Sequence, residues 1–235
     1  MLVGEAMAPR WVVQGACATV LSAVALGGLA SAVAELGFSR SVTPGLVSRY
    51  SAQFGRGVAG RLAGWQDFVR RSAPMPQGKA DAALLAPVNR FFNRVPAYTD
   101  LQHWGVEDYW ATPAETVASD GADCEDYAIA KFYTLKELGI PVAQLRLVYA
   151  RSRLSLDAHM VLAYYAQPGA DPLILDNLEG SIRPAADRDD LQPVYSFNDE
   201  DLELVQANAP SIRFDPASNR KWAGVLDRLR RELTY

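Results

Sequence analysis

The stretch from Asp123 to Asp176 constrains the fold most, because it joins one sharply bounded helix to several short strand-like runs. Asp123 is a preferred N-cap residue, and Glu125 and Asp126 fall in the first turn, where the helix dipole favours carboxylates. Gly139 ends the helical pattern about four turns later. Three apolar runs follow and predict strands. They are Leu145 to Ala150, His159 to Ala166 and Leu173 to Asp176. The polar connections between them are typical of an antiparallel meander, so the pattern predicts an α+β fold.

Amphipathic helices are predicted on both sides of this stretch. Apolar residues recur at spacings of mainly three and four over Pro44 to Ser72, which predicts one helix with arginines on its other face. A second helix is predicted from Lys79 to Val95, kinked or split by Pro87. The tail from Pro216 to Leu233 alternates apolar and basic residues and predicts a terminal helix. We therefore expect N-terminal helices packed on an antiparallel sheet.

Residues 96–121 are predicted to be irregular. Tyr98, Trp104, Tyr109 and Trp110 are interspersed there with acidic residues, glycine and proline. Such an aromatic segment is either an ordinary covering loop or one wall of a substrate cleft.

The first 34 residues differ in composition from the rest of the chain. Arg10 forms a short basic region, the run from Trp11 to Ala34 is uncharged, and Ala32-Val33-Ala34 is a small-residue cleavage site. These features predict a secretory signal peptide over residues 1–34, with an uncleaved anchor as the alternative. Residues 35–235 are then expected to form a single exported domain.

Cys124 would be the only cysteine left after that cleavage, because Cys17 lies in the leader. A lone cysteine cannot form an internal disulfide, and a spare thiol is a liability in an oxidising compartment. Cys124 is therefore a candidate reactive thiol.

The charge of the chain argues against nucleic acid as the main partner. The formal net charge is −4, and the basic residues form no long run. Phosphate binding requires a concentrated cationic face.

A possible catalytic triad follows from the predicted elements. Cys124 opens the predicted helix, where the dipole stabilises a thiolate. His159 lies in an apolar strand and needs a polar partner, which Asp176 at the end of the next strand can provide. A helix-borne thiol that faces His and Asp on neighbouring strands is the papain-like arrangement, in which thiolate attacks a carbonyl and imidazole shuttles the proton.

The carboxylates beside Cys124 oppose this chemistry unless a cation offsets them. Asp123, Glu125 and Asp126 disfavour a further negative charge on the thiol. Their oxygens are the ligands that calcium prefers. The alternative is that all three are simply good first-turn residues on a solvated helix face.

An oxyanion formed at the site would need hydrogen-bond donors. The backbone N–H of Cys124 is the natural first donor. The indole N–H of Trp104 or of Trp110, both in the aromatic segment, could supply the second.

Several short segments, in this order along the chain, carry a family resemblance. They are Asp123 to Ala128, Leu138 to Pro141, Ala158 to Leu162 and Leu175 to Leu178, supported by Asn89 to Trp110 and Pro193 to Asn198. The set resembles the bacterial transglutaminase-like cysteine peptidases, and among them the LapG-type periplasmic proteases. The resemblance covers about residues 86–200.

The resemblance implies a fold and a set of site residues. The fold would be the transglutaminase-like variant of the papain-like α+β fold. Cys124, His159 and Asp176 would be catalytic. Calcium would be required, with Asp123 and Glu125 as ligands and Asp126 as a further candidate.

The resemblance also implies a biological setting. The substrate would be the N-terminal region of a very large, repeat-containing surface adhesin, cut at a paired-alanine site in the periplasm. Cutting would release the adhesin and disperse a biofilm. An inner-membrane cyclic-di-GMP receptor of the LapD type would inhibit the protease by sequestering it.

Three alternatives remain open on the sequence. A transglutaminase would use the same triad but pass the acyl group to an amine. A binding module would dock peptide without cutting it, although the complete triad argues against this. A structural calcium protein would need only the acidic residues, and Cys124 would be incidental.

Overall fold

The computed structural model describes residues 39, 42–73, 81–154, 158–204 and 212–235. The predicted signal peptide, residues 1–34, lies outside these ranges, and the single domain over residues 35–235 stays a prediction. Among the described residues, no helix is both long enough and apolar enough to cross a membrane.

Helices and one sheet make up the described part of the chain. The helices are α1 (Pro44–Phe54), α2 (Val58–Ser72), α3 (Asp81–Phe92), α4 (Asp100–His103), α5 (Pro113–Ser119), α6 (Cys124–Glu137) and α7 (Arg220–Glu232). The strands are β1 (Leu145–Ser152), β2 (Ala158–Tyr164), β3 (Leu173–Leu175), β4 (Arg183–Pro184), β5 (Leu191–Phe197), β6 (Leu202–Leu204) and β7 (Ile212–Phe214). Short 3-10 turns lie at Val142–Gln144, Ala185–Asp187 and Pro216–Ser218.

The strands form a single antiparallel sheet in the order β4-β3-β2-β1-β5-β6-β7. The central pair, β1 and β2, runs in register from Leu145 opposite Tyr164 to Arg151 opposite Ala158. The predicted meander of three strands is confirmed, with ends shifted by one or two residues. The α+β prediction, with helices packed on an antiparallel sheet, is likewise confirmed.

The core lies on both faces of this sheet. One face packs against the helices, and α6 is central there because every residue from Asp126 to Leu135 is buried. The other face carries a smaller apolar cluster that includes Val148, Val161 and Ile174. Burial of α6 on all sides fixes its first residue, Cys124, against the sheet.

The predicted helix from Pro44 to Ser72 is wrong as a single element. It is two helices, because Gly55 and Gly57 take positive φ angles of 78° and 98° between α1 and α2. Glycine adopts this conformation without the steric cost of a Cβ atom. The apolar spacing continues across the break because both helices bury their apolar faces in the same core.

The prediction that residues 96–121 are irregular is wrong in part. Both α4 and α5 lie in this segment, and each begins with a capping box, Thr99 with Gln102 and Thr112 with Glu115. These boxes satisfy backbone donors at the helix starts and so stabilise helices with little apolar periodicity. The helix predicted from Lys79 to Val95 is α3, which contains Pro87 and ends at Phe92, three residues earlier than predicted. Residues 79 and 80 lie outside the described ranges.

Candidate active site

Cys124 is the first residue of α6, as the sequence predicts. Asp123 precedes it as the N-cap residue in an extended conformation, as predicted, although its side chain makes no capping hydrogen bond. The Cys124 thiol is partly exposed, and its Sγ donates a hydrogen bond to Glu125 Oε2 at 2.9 Å. The backbone N–H of Met160 on β2 also lies beside the sulfur. The thiol therefore lies where α6 meets β2.

His159 and Asp176 form a buried hydrogen-bonded pair. The β2–β3 register pairs Leu162 with Leu175, and its continuation by one residue places Asp176 diagonally across from His159. His159 Nε2 lies 2.8 Å from Asp176 Oδ1, and the two residues are only 2% and 1% exposed. An ionised carboxylate only accepts hydrogen bonds, so Nε2 carries the hydrogen and Nδ1 keeps its lone pair.

The Asp176 carboxylate is held in its ionised form. Burial raises its pKa, but hydrogen bonding and charge attraction from His159, with a hydrogen bond from Arg188, outweigh burial and lower the pKa to about 2. Arg188 Nη2 lies 2.7 Å from Asp176 Oδ2. The backbone N–H of Leu178 donates to Oδ1 at 3.0 Å. Asp176 is therefore ionised at neutral pH and can stabilise an imidazolium on His159.

Cys124 and His159 line the same cleft, which has a volume of about 420 Å³. Trp110, Tyr149 and Tyr195 form aromatic parts of its wall. The Tyr149 and Tyr195 rings stack with their centroids 4.8 Å apart. The cleft thus brings a thiol and an imidazole together beside an apolar surface that can bind a peptide chain.

The thiol is neutral in this environment. Burial raises the pKa of Cys124, and the charge of Glu125, its hydrogen bond to the thiol and the charge of Asp123 raise it further. The conflict expected from the sequence between a thiolate and its acidic neighbours is therefore real. A cation held by these carboxylates would reduce it.

A group of acidic side chains beside Cys124 fits a hard cation. Asp100, Asp123 and Glu125 each place a carboxylate oxygen within 4.8 Å of the others. Asp123 Oδ1 is buried and has no hydrogen-bond partner among the described residues. Burial, together with the charges of Glu125 and Asp126, raises the pKa of Asp123 to about 10. Calcium takes several carboxylate oxygens as ligands, so this donor set suits it.

Asp126, the further metal candidate, lies outside that group. It is fully buried, and its Oδ1 accepts a hydrogen bond from the Ala111 backbone N–H at 2.6 Å. The side chain thereby anchors the segment that leads into α5. Its place in the first helical turn did not distinguish it from Glu125, because burial cannot be deduced from that position alone.

The structure separates the two tryptophans proposed for the cleft. Trp110 lines the cleft, whereas Trp104 is not among the lining residues. Trp104 instead packs against Phe54 of α1, His103 and Tyr109, with ring centroids 4.6 to 5.8 Å apart. Of the two candidates, Trp110 is therefore the one that borders the cleft, and the role of an indole N–H as oxyanion donor stays a prediction.

Two contributors to the site were missed on the sequence. Asp100 begins α4 and reaches the acidic group from 23 residues before Asp123. Arg188 reaches Asp176 from the segment after β4. The capping box at Thr99 could have indicated the helix but not its approach to Cys124. No spacing pattern marks Arg188.

Replacement of Asp176 by asparagine is expected to destabilise the protein in a pH-dependent manner. The pKa of Asp176 is about 2 in the folded protein against 3.8 ordinarily. Its ionised form therefore contributes roughly 2 kcal/mol above about pH 4, and that contribution is lost as the pH falls towards 2. Urea unfolding, followed by tryptophan fluorescence between pH 2.5 and 6, would measure the difference from wild type.

Asp187→Asn is the matched control, because Asp187 is exposed on the neighbouring 3-10 turn. We expect the free energy of unfolding of Asp187→Asn to equal that of the wild type at each pH between 2.5 and 6. An equal loss of stability for Asp176→Asn at pH 3 and pH 6 would contradict the ionised pair.

Comparison with known proteins identifies the family. A profile described as bacterial transglutaminase-like cysteine proteinase matches residues 67–191. EGTA-treated LapG of Legionella pneumophila is 36% identical, with a TM-score of 0.68 over 80% of this chain and 98% of that chain. Its calcium-bound form is 35% identical, with a TM-score of 0.65 over 80% and 99%. A search of curated proteins finds no significant match. The predicted transglutaminase-like fold is confirmed, and the chain belongs to the bacterial transglutaminase-like cysteine proteinases, with a LapG-like structure.

Proposed function

We propose that this protein is a calcium-dependent periplasmic cysteine endopeptidase that cuts the N-terminal region of a large surface adhesin. The observation that carries the proposal is the cleft shared by Cys124 and His159, with His159 hydrogen-bonded to a buried, ionised Asp176. A LapG-like fold around that cleft supports the same conclusion.

The chemistry follows from the orientation of the imidazole. Because Nε2–H is directed to Asp176, Nδ1 is the nitrogen that can accept the Cys124 proton. The sulfur then attacks the peptide carbonyl carbon, and the resulting oxyanion takes a hydrogen bond from the Cys124 backbone N–H. The C–N bond breaks as His159 returns the proton to the leaving amine, which leaves a thioester on Cys124.

Hydrolysis of the thioester uses the same residues. His159 removes a proton from water, and the resulting hydroxide attacks the thioester carbonyl. The C–S bond breaks, the acid product leaves, and the sulfur recovers the proton from the imidazolium. Asp176 stabilises the imidazolium in both halves without itself becoming protonated.

Calcium would be held by Asp100, Asp123 and Glu125, the carboxylates that lie within reach of one another. When bound, it supplies positive charge that offsets the carboxylates beside the thiol. A calcium-bound form of Legionella pneumophila LapG has been determined, which supports calcium as the ion.

The proposed substrate segment is the paired-alanine site of a repeat-containing adhesin. Small side chains suit a cleft whose wall includes the bulky, stacked Tyr149 and Tyr195 rings. Release of the adhesin would disperse a biofilm, and an inner-membrane cyclic-di-GMP receptor of the LapD type would restrain the enzyme. The signal-peptide pattern of residues 1–34 supports periplasmic export.

The test uses the N-terminal fragment of the largest repeat adhesin encoded by the same host. We expect two products, whose new termini, read by mass spectrometry, lie between adjacent alanines. A matched fragment with those alanines changed to aspartate should remain intact. The appearance of products at unrelated sites would overturn the proposed specificity.

A primary amine added to the same reaction distinguishes hydrolysis from acyl transfer. We expect free carboxylate at the new C-terminus, because water is the acceptor for a peptidase. Amine incorporated into glutamine side chains, with no chain cleavage, would instead identify a transglutaminase. If the fragment binds but is neither cut nor modified, the protein would be a binding module.

A further inference from the structure

Arg188 is a buried arginine beside the proposed catalytic residues that the mechanism above does not use. It follows the 3-10 turn Ala185–Asp187 and is only 1% exposed. Its Nη2 lies 2.7 Å from Asp176 Oδ2 and 2.8 Å from Asp190 Oδ2, while its Nε lies 2.8 Å from Asp190 Oδ1. One guanidinium therefore binds two carboxylates.

The contacts to Asp176 divide between its two oxygens. Oδ1 accepts from His159 Nε2 and from the Leu178 backbone N–H, whereas Oδ2 accepts from Arg188. Rotation of the carboxylate about χ2 would break the contacts of both oxygens together. Arg188 thus opposes a rotation that would turn Oδ1 away from the imidazole.

We infer that Arg188 is a positioning residue for the proposed peptidase: it fixes the Asp176 carboxylate so that His159 presents Nδ1 to Cys124. This inference rests on the proposed function. It assigns Arg188 no contact with substrate, and its effect on the thiol passes entirely through Asp176 and His159.

The charge balance of the cluster favours this role. When His159 gains the thiol proton, two cations, His159 and Arg188, face the carboxylates of Asp176 and Asp190. Without Arg188, the buried Asp176 would lose a permanent counter-charge and could rotate or take up a proton.

Lys131, a further basic residue near Asp176, cannot replace Arg188. Lys131 is buried on α6, and burial lowers its pKa to about 7, although the charge of Asp176 opposes that shift. Lys131 is therefore only partly charged at neutral pH. An arginine keeps its charge throughout this range and can bind two acceptors in one plane.

The experiment measures the rate at which iodoacetamide alkylates Cys124 in the full chain with calcium present. Peptide-resolved mass spectrometry separates Cys124 from Cys17. We expect Arg188→Gln to slow alkylation by about 10- to 100-fold, the loss typical of misplaced catalytic groups. Arg188→Lys should recover part of the rate, because it keeps the charge. Arg183→Gln, which changes an exposed arginine five residues away, should match the wild type.

A double-mutant cycle separates positioning from a merely structural role. If Arg188 acts through Asp176, the double variant Asp176→Asn with Arg188→Gln should react no more slowly than Asp176→Asn alone. Equal losses in both backgrounds would overturn the inference. If circular dichroism shows that Arg188→Gln is unfolded, the same cycle is run with Arg188→Lys. Its loss of alkylation rate is then compared between the wild-type and Asp176→Asn backgrounds in the same way.

His159→Ala distinguishes failure of this inference from failure of the proposed function. If wild-type Cys124 reacts no faster than Cys124 in His159→Ala, imidazole does not activate the thiol and both proposals are overturned. If wild type is faster than His159→Ala but equal to folded Arg188→Gln, only the role of Arg188 is overturned.

Discussion

Replacement of Cys124 by alanine is expected to lower kcat/KM for peptide cleavage by about 10,000-fold or more, the scale seen when a catalytic nucleophile is removed. The thiol begins α6 and shares the cleft with His159, and no second nucleophile is assigned in the mechanism. We expect the free energy of unfolding to stay within about 1 kcal/mol of wild type, because only one partly exposed sulfur is lost. Initial rates would measure kcat/KM, circular dichroism melting would measure stability, and calcium titration calorimetry would show whether the variant still binds calcium.

Cys17→Ala is the matched control for this variant. Cys17 lies in the predicted leader, so its replacement should leave cleavage unchanged. Peptidase activity retained by Cys124→Ala would rule out the proposed nucleophile. Loss of calcium binding together with activity would instead indicate that the variant disturbs the acidic group.

Calcium is expected to stabilise the protein strongly, and more so as pH rises. The pKa of Asp123 is raised from 3.8 to about 10, chiefly by burial and then by Glu125 and Asp126. Above about pH 4 the folded protein keeps a proton there that the unfolded chain releases. The unfolding free energy of the calcium-free protein should therefore fall as the pH rises from about 4 towards 10.

A bound cation replaces that proton, so the unfolding free energy of the calcium-bound protein should depend much less on pH. At a calcium concentration 1,000 times the dissociation constant, the gain is about 4 kcal/mol, provided that the unfolded chain does not bind the ion. Thermal melts at pH 5, 6.5 and 8, with calcium and with chelator, would measure it. A melting temperature at pH 8 that is the same in calcium and in chelator would contradict the assignment.

Substitutions in the acidic group test where calcium binds. Asp100→Asn and Asp123→Asn should each weaken calcium binding and lower activity at limiting calcium, because each removes one of the proposed carboxylate ligands. Asp120→Asn is the control: Asp120 is exposed and lies outside the group, and asparagine also tolerates its left-handed conformation at φ 59°. A normal calcium affinity in Asp100→Asn would remove that residue from the site.

Contacts made by neighbouring segments of the chain were predictable from the sequence. His159 lies on β2 and Asp176 directly follows β3, so a meander of adjacent strands brings the two side chains together. Cys124 could be placed because α6 has clear start and stop signals. Short-range patterning therefore predicted the three proposed catalytic residues and the sheet segments that hold two of them.

Contacts that depend on tertiary packing were not predictable. Asp100 joins the acidic group only because the segment before α5 packs beside the start of α6, and Asp126 is turned away by its bond to Ala111. Trp104 and Trp110 are equivalent as sequence signals, yet an aromatic cluster holds Trp104 away from the cleft. The break between α1 and α2 depends on the positive φ angles of Gly55 and Gly57. It was not predicted because the apolar residues keep a helical spacing across the break.

The most direct test of the proposed function is the initial rate of cleavage of the adhesin N-terminal fragment as free calcium is varied. The full wild-type chain and Cys124→Ala are compared side by side over the same calcium series. We predict that the wild-type rate rises to saturation with calcium and falls to background in chelator, while Cys124→Ala stays at background throughout. Cleavage by Cys124→Ala, or wild-type cleavage that persists unchanged in chelator, would contradict a calcium-dependent peptidase with Cys124 as its nucleophile.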